Sequence, residues 1–322
     1  MAIVSSIIAW SSQQLCAQNI KQTGDAEQIH QRAWSTVWRI PTEQGDYFAK
    51  QTSGFARFEP ALADFLQCTY PPTAPQIVAI DSDNGWMLMP DAGICLRESL
   101  VASLDWTHWE TLLPQYAQLQ IAVIPYTETL RNLHIPDRRL TTFTDQFANL
   151  VQQRSNFALF SDAQYQQLHD SVSIVREKVT ALASLPIPQS LHHGDLHDAN
   201  IFYTPQPDST PQYRFYDWGD ASLSHPFFSL RTAYVSAEIR FGLPENDVQL
   251  HRLRDAYLPA WSAYASHDDL QTAFALASQV WAISSMLSWH TAIDYMTNSD
   301  KKAHAHVLSS LAEELLSALT QT

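Results

Sequence analysis

Between Leu191 and Gly219 the chain reads LHHGDLHDANIF, then a turn-rich insert, then YRFYDWG. Asp195, Asp198, Asn200 and Asp217 punctuate a segment otherwise made of apolar strand-formers. Strands of a core bury Ile, Phe and Tyr, so polar groups set where such strands begin and end are aimed at a site rather than at packing. These four side chains offer oxygen ligands and proton acceptors.

The strands themselves decide how those groups meet. Ile201-Phe202-Tyr203 starts one strand directly after Asn200, Tyr213 to Tyr216 ends another directly before Asp217, and Pro205 to Pro211 is the turn between them. An antiparallel hairpin returns the chain to its starting point, which would set Asn200 and Asp217 side by side. One carboxylate and one amide oxygen, with water and phosphate completing the shell, suit magnesium. Asp195, in the tight HGDLHDAN loop, is placed to orient a hydroxyl and accept its proton. Asp198 reads as a loop-capping residue, and Asp220 as a further acid without an assigned role.

The remaining elements have to hold that segment. Trp34 to Ile40 and Tyr47 to Lys50 are β-rich runs joined through Gln44-Gly45-Asp46, a hairpin signal. Phe58, Leu62, Phe65 and Leu66 recur at helical spacing, with Pro60 in the first turn, where its missing amide hydrogen costs nothing. Ile77 to Ile80 and Trp86 to Met89 predict two more strands, so the first ninety residues read as a small sheet with one helix. Pro90 to Gly93 is a crossing point, and the pattern then turns helical. Asp105 is placed to cap a helix carrying Trp109, Leu112, Leu113 and Tyr116. Phe143, Phe147, Leu150 and Val151 mark a second, and Ser161-Asp162 opens a third that Pro186 and Pro188 stop. From Leu230 onward about four amphipathic helices are expected, the last running from Ser299-Asp300 through Val307, Leu311, Leu315 and Leu319. The expected class is α+β with two lobes: residues 1–93 form a small β-rich lobe and residues 94–322 a larger, mainly helical one. A cleft between lobes is a usual place for a ligand.

HGDLHDAN followed by DWG resembles the aminoglycoside phosphotransferase and choline kinase family, which has the protein-kinase-like fold and moves a phosphoryl group to small molecules. The likeness runs through most of the chain in lobe order, and this one segment carries its specificity. The resemblance implies that Asp195 is the catalytic base, that Asn200 and Asp217 hold magnesium, and that ATP or GTP is the phosphoryl donor. It implies that Lys50 contacts the phosphates with Glu59 as its ion-pair partner, Asp64 being the alternative, and that Met89 to Gly93, including Asp91, binds the nucleobase. His193 and His197 would brace the loop. Two departures stand out. QIHQRAWSTVW, where a glycine-rich phosphate loop is expected, contains no glycine, so Ser35 and neighbouring amides would have to serve. After DWG the chain reads Ser224-His225-Pro226-Phe227-Phe228-Ser229, so a later carboxylate of the family is replaced by serine, expected to act as a structural anchor.

Composition limits the partners. The 322 residues carry 33 acidic against 19 basic side chains, a net charge of -14, which argues against nucleic acid and anionic membrane surfaces and favours a cationic acceptor. No run is long enough to span a bilayer. The apolar start MAIVSSIIAW has a faint likeness to a secretion signal but lacks a basic residue before Lys21 and is interrupted by Ser5 and Ser6, so the cytoplasm is expected. Cys16, Cys68 and Cys95 lack metal-ligand spacing and read as free, buried thiols. Two other readings remain open. The cluster His192, His193, Asp195, His197 and Asp198 would suit a zinc metallohydrolase, and the missing glycine-rich loop would suit a nucleotide-binding protein without turnover. Trp281, Ser285 and Trp289 share a helical face that, with Tyr295, Asp294 and Glu238, would form either core or an aromatic, acidic acceptor pocket.

Overall fold

The computed structural model describes residues 2–206, 210–244 and 247–320. In chain order the elements begin with α1 (Ala2–Ala17), β1 (Glu27–Gln31), β2 (Ser35–Thr42), β3 (Gly45–Thr52), α2 (Glu59–Thr69), β4 (Ala79–Asp81), β5 (Trp86–Pro90), β6 (Ile94–Cys95) and α3 (Leu96–Ala102). Next come α4 (Thr107–Val123), α5 (Thr127–Asn132), α6 (Leu140–Gln152), α7 (Asp162–Ala183), β7 (Ser190–His192), β8 (Ile201–Thr204), β9 (Gln212–Phe215) and β10 (Ser222–Ser224). The chain closes with α8 (Phe227–Phe241), α9 (Val248–Tyr257), α10 (His267–Asp294), α11 (Asn298–Ala303) and α12 (Val307–Thr320). The class is α+β. Two compact units result, Met1–Ser103 with Ala199–Gly219, and Leu104–Asp198 with Asp220–Thr322.

In the first unit the strands form a five-stranded sheet of order β1-β2-β3-β5-β4, all antiparallel. The register Thr42↔Gly45 closes the expected hairpin, and Gly45 at φ +105 takes the backbone conformation the turn requires. Alternation then sorts the side chains. Trp38, Ile40, Tyr47, Ala49, Trp86 and Leu88 point to one face, where Ile7 and Leu15 of α1 complete a buried cluster. Lys50, Met87 and Met89 belong to the opposite face, and the two methionines pack there with Ala63 of α2 and with Tyr216. The chain from Ala199 to Gly219 joins this unit because β8 pairs with both β6 and β9.

Two expectations about this unit need correction. The first ninety residues hold α1 as well as α2, and α1 is a packed structural element. Cys16 and Cys68 are free but exposed, and Cys95 is half-buried, so these thiols are not core residues.

The second unit is mainly helical, with a two-stranded β7-β10 sheet. Gln120 of α4, wholly buried, donates to the Leu191 carbonyl at 2.8 Å, and Ser190 Oγ donates to the Gln120 carbonyl at 2.6 Å, which pins β7 to that helix. Ser161 and Gln164 form the reciprocal capping box expected for α7. The single helix expected from Ser299 to Leu319 is two, α11 capped by Thr297 and then α12. His304 bonds the Asp300 carbonyl at 2.9 Å and stacks on Trp289 with ring centres 5.3 Å apart, and the helix breaks there. Among the described residues no helix is long and apolar enough to cross a membrane.

Candidate active site

Lys50 is the centre of the first unit's polar chemistry. Strand alternation sends it to the face away from α1, where Glu59, at the first turn of α2, meets it. Lys50 Nζ donates to Glu59 Oε1 at 2.7 Å and to Asp217 Oδ1 at 2.6 Å. Lys50 and Glu59 are buried, whereas half of the Asp217 side chain is exposed. Burial acts to lower the Lys50 pKa, but the charges of Asp217 and Glu59 outweigh it and hold the ammonium above its ordinary value. Burial pushes Glu59 up to about 7, although Lys50 pulls the other way. Burial sets the direction, and the second carboxylate on the same lysine, Asp217, adds to it.

The expected hairpin is present. Ile201 pairs with Phe215 and Tyr203 with Tyr213, and the Tyr216 amide donates to the Asn200 carbonyl at 2.8 Å, so the ladder ends at Asn200 and Asp217. Asp217 adopts φ +61, a conformation that costs most residues about 1–2 kcal/mol and that Asp tolerates better than most. Its neighbour holds it there. The Trp218 amide donates to Glu59 Oε1 at 3.1 Å and the Trp218 indole donates to the Phe215 carbonyl at 2.8 Å. Gly219 packs so closely that an added Cβ would stand 3.2 Å from the Ala56 side chain. An all-oxygen pair, Asn200 with the half-exposed Asp217, fits magnesium better than a softer metal.

Ser35, Met89 and Asp91 also lie in this unit. Ser35 opens β2, and its carbonyl accepts the Arg32 amide at 2.7 Å, closing the β1–β2 turn without a glycine. Met89 pairs with Phe48 and is buried beside Tyr216, with Phe202 and Ala92 packed against the same cluster. Asp91 Oδ1 accepts the Gly93 amide at 2.9 Å, and its own amide donates to the Asp46 carbonyl at 3.0 Å, which fixes the linker. Phe202, edge-on to Tyr216 with centres 5.2 Å apart, was legible only as a strand residue.

The second unit carries the loop before the hairpin. Gly194 sits at φ +85, and a Cβ there would lie 2.2 Å from the Asp220 carbonyl oxygen, so this position admits glycine alone. Leu196 is wholly buried as the loop's apolar anchor. The Asp195 amide donates to His193 Nδ1 at 3.3 Å, and His197 Nε2 lies 3.2 Å from Asp195 Oδ2. His193 therefore braces the backbone, and His197 meets the carboxylate itself. Asp198, buried, forms an ion pair with Arg240 of α8 at 2.7 Å. It is more than a loop cap.

Ser229, at the end of the Ser224 to Ser229 run, anchors the same loop. Its Oγ accepts the His193 amide at 3.1 Å, and His192 Nδ1 and the Tyr116 hydroxyl lie 2.9 and 2.8 Å away. Burial first, then Arg138 and His193, holds His192 well below its usual pKa, so the ring is neutral and bonded. Among the described residues no group of three or more His, Cys, Asp or Glu side chains is placed to hold a metal. The geometry therefore lends the zinc reading no support.

Trp281 and Glu238 line a cavity of about 640 Å³ in this unit together with Arg231, Tyr234, Phe274 and Glu314. Trp281 is buried, with its indole donating to Thr232 Oγ1 at 2.9 Å. Trp289 stacks on His304 instead, and Tyr295 is exposed, so the expected stripe is not one pocket.

Comparison with known proteins agrees with this architecture. The GDP complex of aminoglycoside 2'-phosphotransferase-IIIa superposes with a TM-score of 0.60 at 16% identity, covering 97% of this chain and 98% of that one. The Plasmodium vivax ethanolamine kinase gives 0.61 at 11% identity, covering 89% and 82%. The macrolide 2'-phosphotransferase MphH from Brachybacterium faecium gives 0.57 at 15% identity, covering 92% and 96%. These likenesses establish the kinase-like fold. No curated protein matches the sequence. The model of the phosphotransferase enzyme family matches residues 25–267, and the chain therefore belongs to that family and is a small-molecule kinase.

Proposed function

We propose that the protein transfers the γ-phosphoryl group of ATP or GTP to a hydroxyl of a small molecule, using magnesium. The observation that carries this reading is the shared lysine: Lys50, bonded to both Glu59 and Asp217, ties a phosphate-binding cation to a metal-type carboxylate. Lys50 then contacts the donor's phosphates, Glu59 fixes its position, and Asn200 and Asp217 hold the metal. Magnesium supplies charge neutralisation on the phosphate oxygens. Met89 and Asp91 bind the base at the linker, with Phe202 and Tyr216 as apolar support, and amides near Ser35 serve the phosphates. Residues 1–93 act as the nucleotide lobe, and residues 94–322 carry the base and the acceptor side.

Asp195 is the catalytic base. The acceptor oxygen bonds to the γ-phosphorus as the bond from phosphorus to the bridging oxygen breaks, the bridging oxygen keeps the electron pair, and the hydroxyl proton passes to Asp195. Little covalent help is needed, so the chain's contribution is position and charge. The net charge of -14 favours a cationic acceptor, an amino alcohol or an aminoglycoside-like compound, over a neutral sugar. Three free thiols and a nucleoside triphosphate donor suit the cytoplasm.

The test is nucleotide consumption by the purified protein with MgATP or MgGTP and a panel of amino alcohols, aminoglycosides, macrolides and sugars, with the phosphorylated product identified by mass. Turnover that disappears in Asp195→Asn while nucleotide binding persists supports the reading. Full turnover in that variant would overturn it. Nucleotide binding with no transfer to any acceptor would favour the second reading, a binding protein without turnover, which the glycine-free β1–β2 turn motivates.

A further inference from the structure

Strand register places an additional side chain in the same row as the lysine. His30 of β1 pairs with Val37 of β2, Val37 pairs with Lys50 of β3, and Lys50 pairs with Met87 of β5. Directly opposed residues share a face, so His30, Val37, Lys50 and Met87 form one row on the side away from α1. Exposure grades along that row: Met87 is 2% and Lys50 7% exposed, Val37 is half-buried, and His30 is open to solvent.

The row exists because of an irregularity. Pairing shifts between Gln28 and His30, so Ile29 is the extra residue of a bulge. A bulge re-aims the side chains beyond it, and without this one His30 would face the α1 side. The same strand leads into the turn over residues 32–34, where the family's phosphate loop has glycines and this chain has Arg32, Ala33 and Trp34.

We infer that His30 is a phosphate-contacting residue, its imidazole donating from β1 to the phosphate chain that Lys50 holds, in place of the backbone amides of a glycine-rich loop. This rests on the nucleotide reading above and goes beyond it by assigning a side chain that the family pattern does not supply. Two strand spacings, roughly 10 Å, separate the backbones of His30 and Lys50. Both side chains rise from the same face, with only the short Val37 between them. The electrostatics agree with that placement. Burial first and Arg32 next hold the His30 pKa below its usual value, Asp217 opposes them, and Lys50 adds to them, so the ring feels the charges of the site.

A structural role for His30 would disturb nucleoside and nucleotide binding alike, whereas a phosphate contact affects only the nucleotide. Equilibrium binding of MgATP and of adenosine, and of MgGTP and guanosine, is measured by calorimetry for the native protein, His30→Ala and His30→Gln, with melting temperatures recorded. Loss of one hydrogen bond to a charged group predicts a Kd for the triphosphate raised about tenfold in His30→Ala. The nucleoside Kd should stay unchanged, and His30→Gln should recover part of the loss. Equal triphosphate affinity in the native protein and His30→Ala would overturn the assignment, as would parallel weakening of nucleoside and nucleotide. Failure of the native protein to bind either triphosphate would instead sink the nucleotide reading itself, which separates the two failures.

Discussion

Ser229 Oγ accepts the amide hydrogen of His193 at 3.1 Å, and this bond fastens the loop that carries Asp195 to the first turn of α8. A hydroxyl can donate once and accept twice. With His192 Nδ1 at 2.9 Å and the Tyr116 hydroxyl at 2.8 Å, the wholly buried Ser229 has that full set. The assignment closes consistently: Tyr116 and His193 donate, and Ser229 donates to the neutral His192 ring.

Ser229→Ala should therefore loosen the loop more than it loosens the fold. Removing the hydroxyl strands buried polar partners, and one such group costs about 1–3 kcal/mol. We expect a stability loss in that range by urea denaturation, a fall in kcat of at least tenfold, and a nucleotide KM close to native. Unchanged kcat with the stability loss present would show that Ser229 supports packing only.

Glu59 predicts a pH signature of folding. Its folded pKa of about 7 lies above the ordinary glutamate value of 4.5, so the contribution to stability is full below pH 4.5 and is lost as pH rises toward 7. A shift of this size corresponds to about 3 kcal/mol. Lys50, held above its usual pKa, stays charged throughout that window. Glu59→Gln removes the titration while keeping an acceptor for the Trp218 amide. The stability difference between native protein and this variant should therefore shift toward the variant between pH 4.5 and 7. Urea midpoints across that range read it directly, and a difference that stays flat would contradict a raised Glu59. Glu59→Ala should cost more than Glu59→Gln, because it strips both Lys50 and Trp218 of a buried partner.

The sequence announced these contacts unevenly, for physical reasons. The β2–β3 hairpin and α2 were readable because turn residues and a 3.6-residue period mark them locally. Asn200 and Asp217 were readable because a hairpin carries its own geometry. The five residues of β1 are all exposed, so no alternation marks the strand, and His30 only acquires meaning through the register of two other strands. The N-terminal helix hid behind serines, one of which, Ser11, is itself buried. The Asp198 ion pair with Arg240 joins a loop to a distant helix by one charge pair that no motif marks.

Gly194 offers the sharpest steric test of the loop. It sits at φ +85, and the nearest atoms to an added Cβ, the Asp220 carbonyl oxygen at 2.2 Å and carbonyl carbon at 2.7 Å, belong to backbone, which cannot rotate away. Gly194→Ala thus combines a left-handed backbone penalty of about 1–2 kcal/mol with a clash that only movement of the loop or of Asp220 relieves. Asp195 follows directly in the chain, and its amide bond to His193 would be strained by the same movement. We expect Gly194→Ala to lower the melting temperature by several degrees and turnover by more than a hundredfold, while MgATP affinity changes little because Lys50 is bonded to both Glu59 and Asp217 independently of this loop. Melting curves, steady-state rates and calorimetry on one preparation separate these effects. Native turnover in Gly194→Ala would mean that the loop accommodates a side chain and that its tight conformation is not needed to present Asp195.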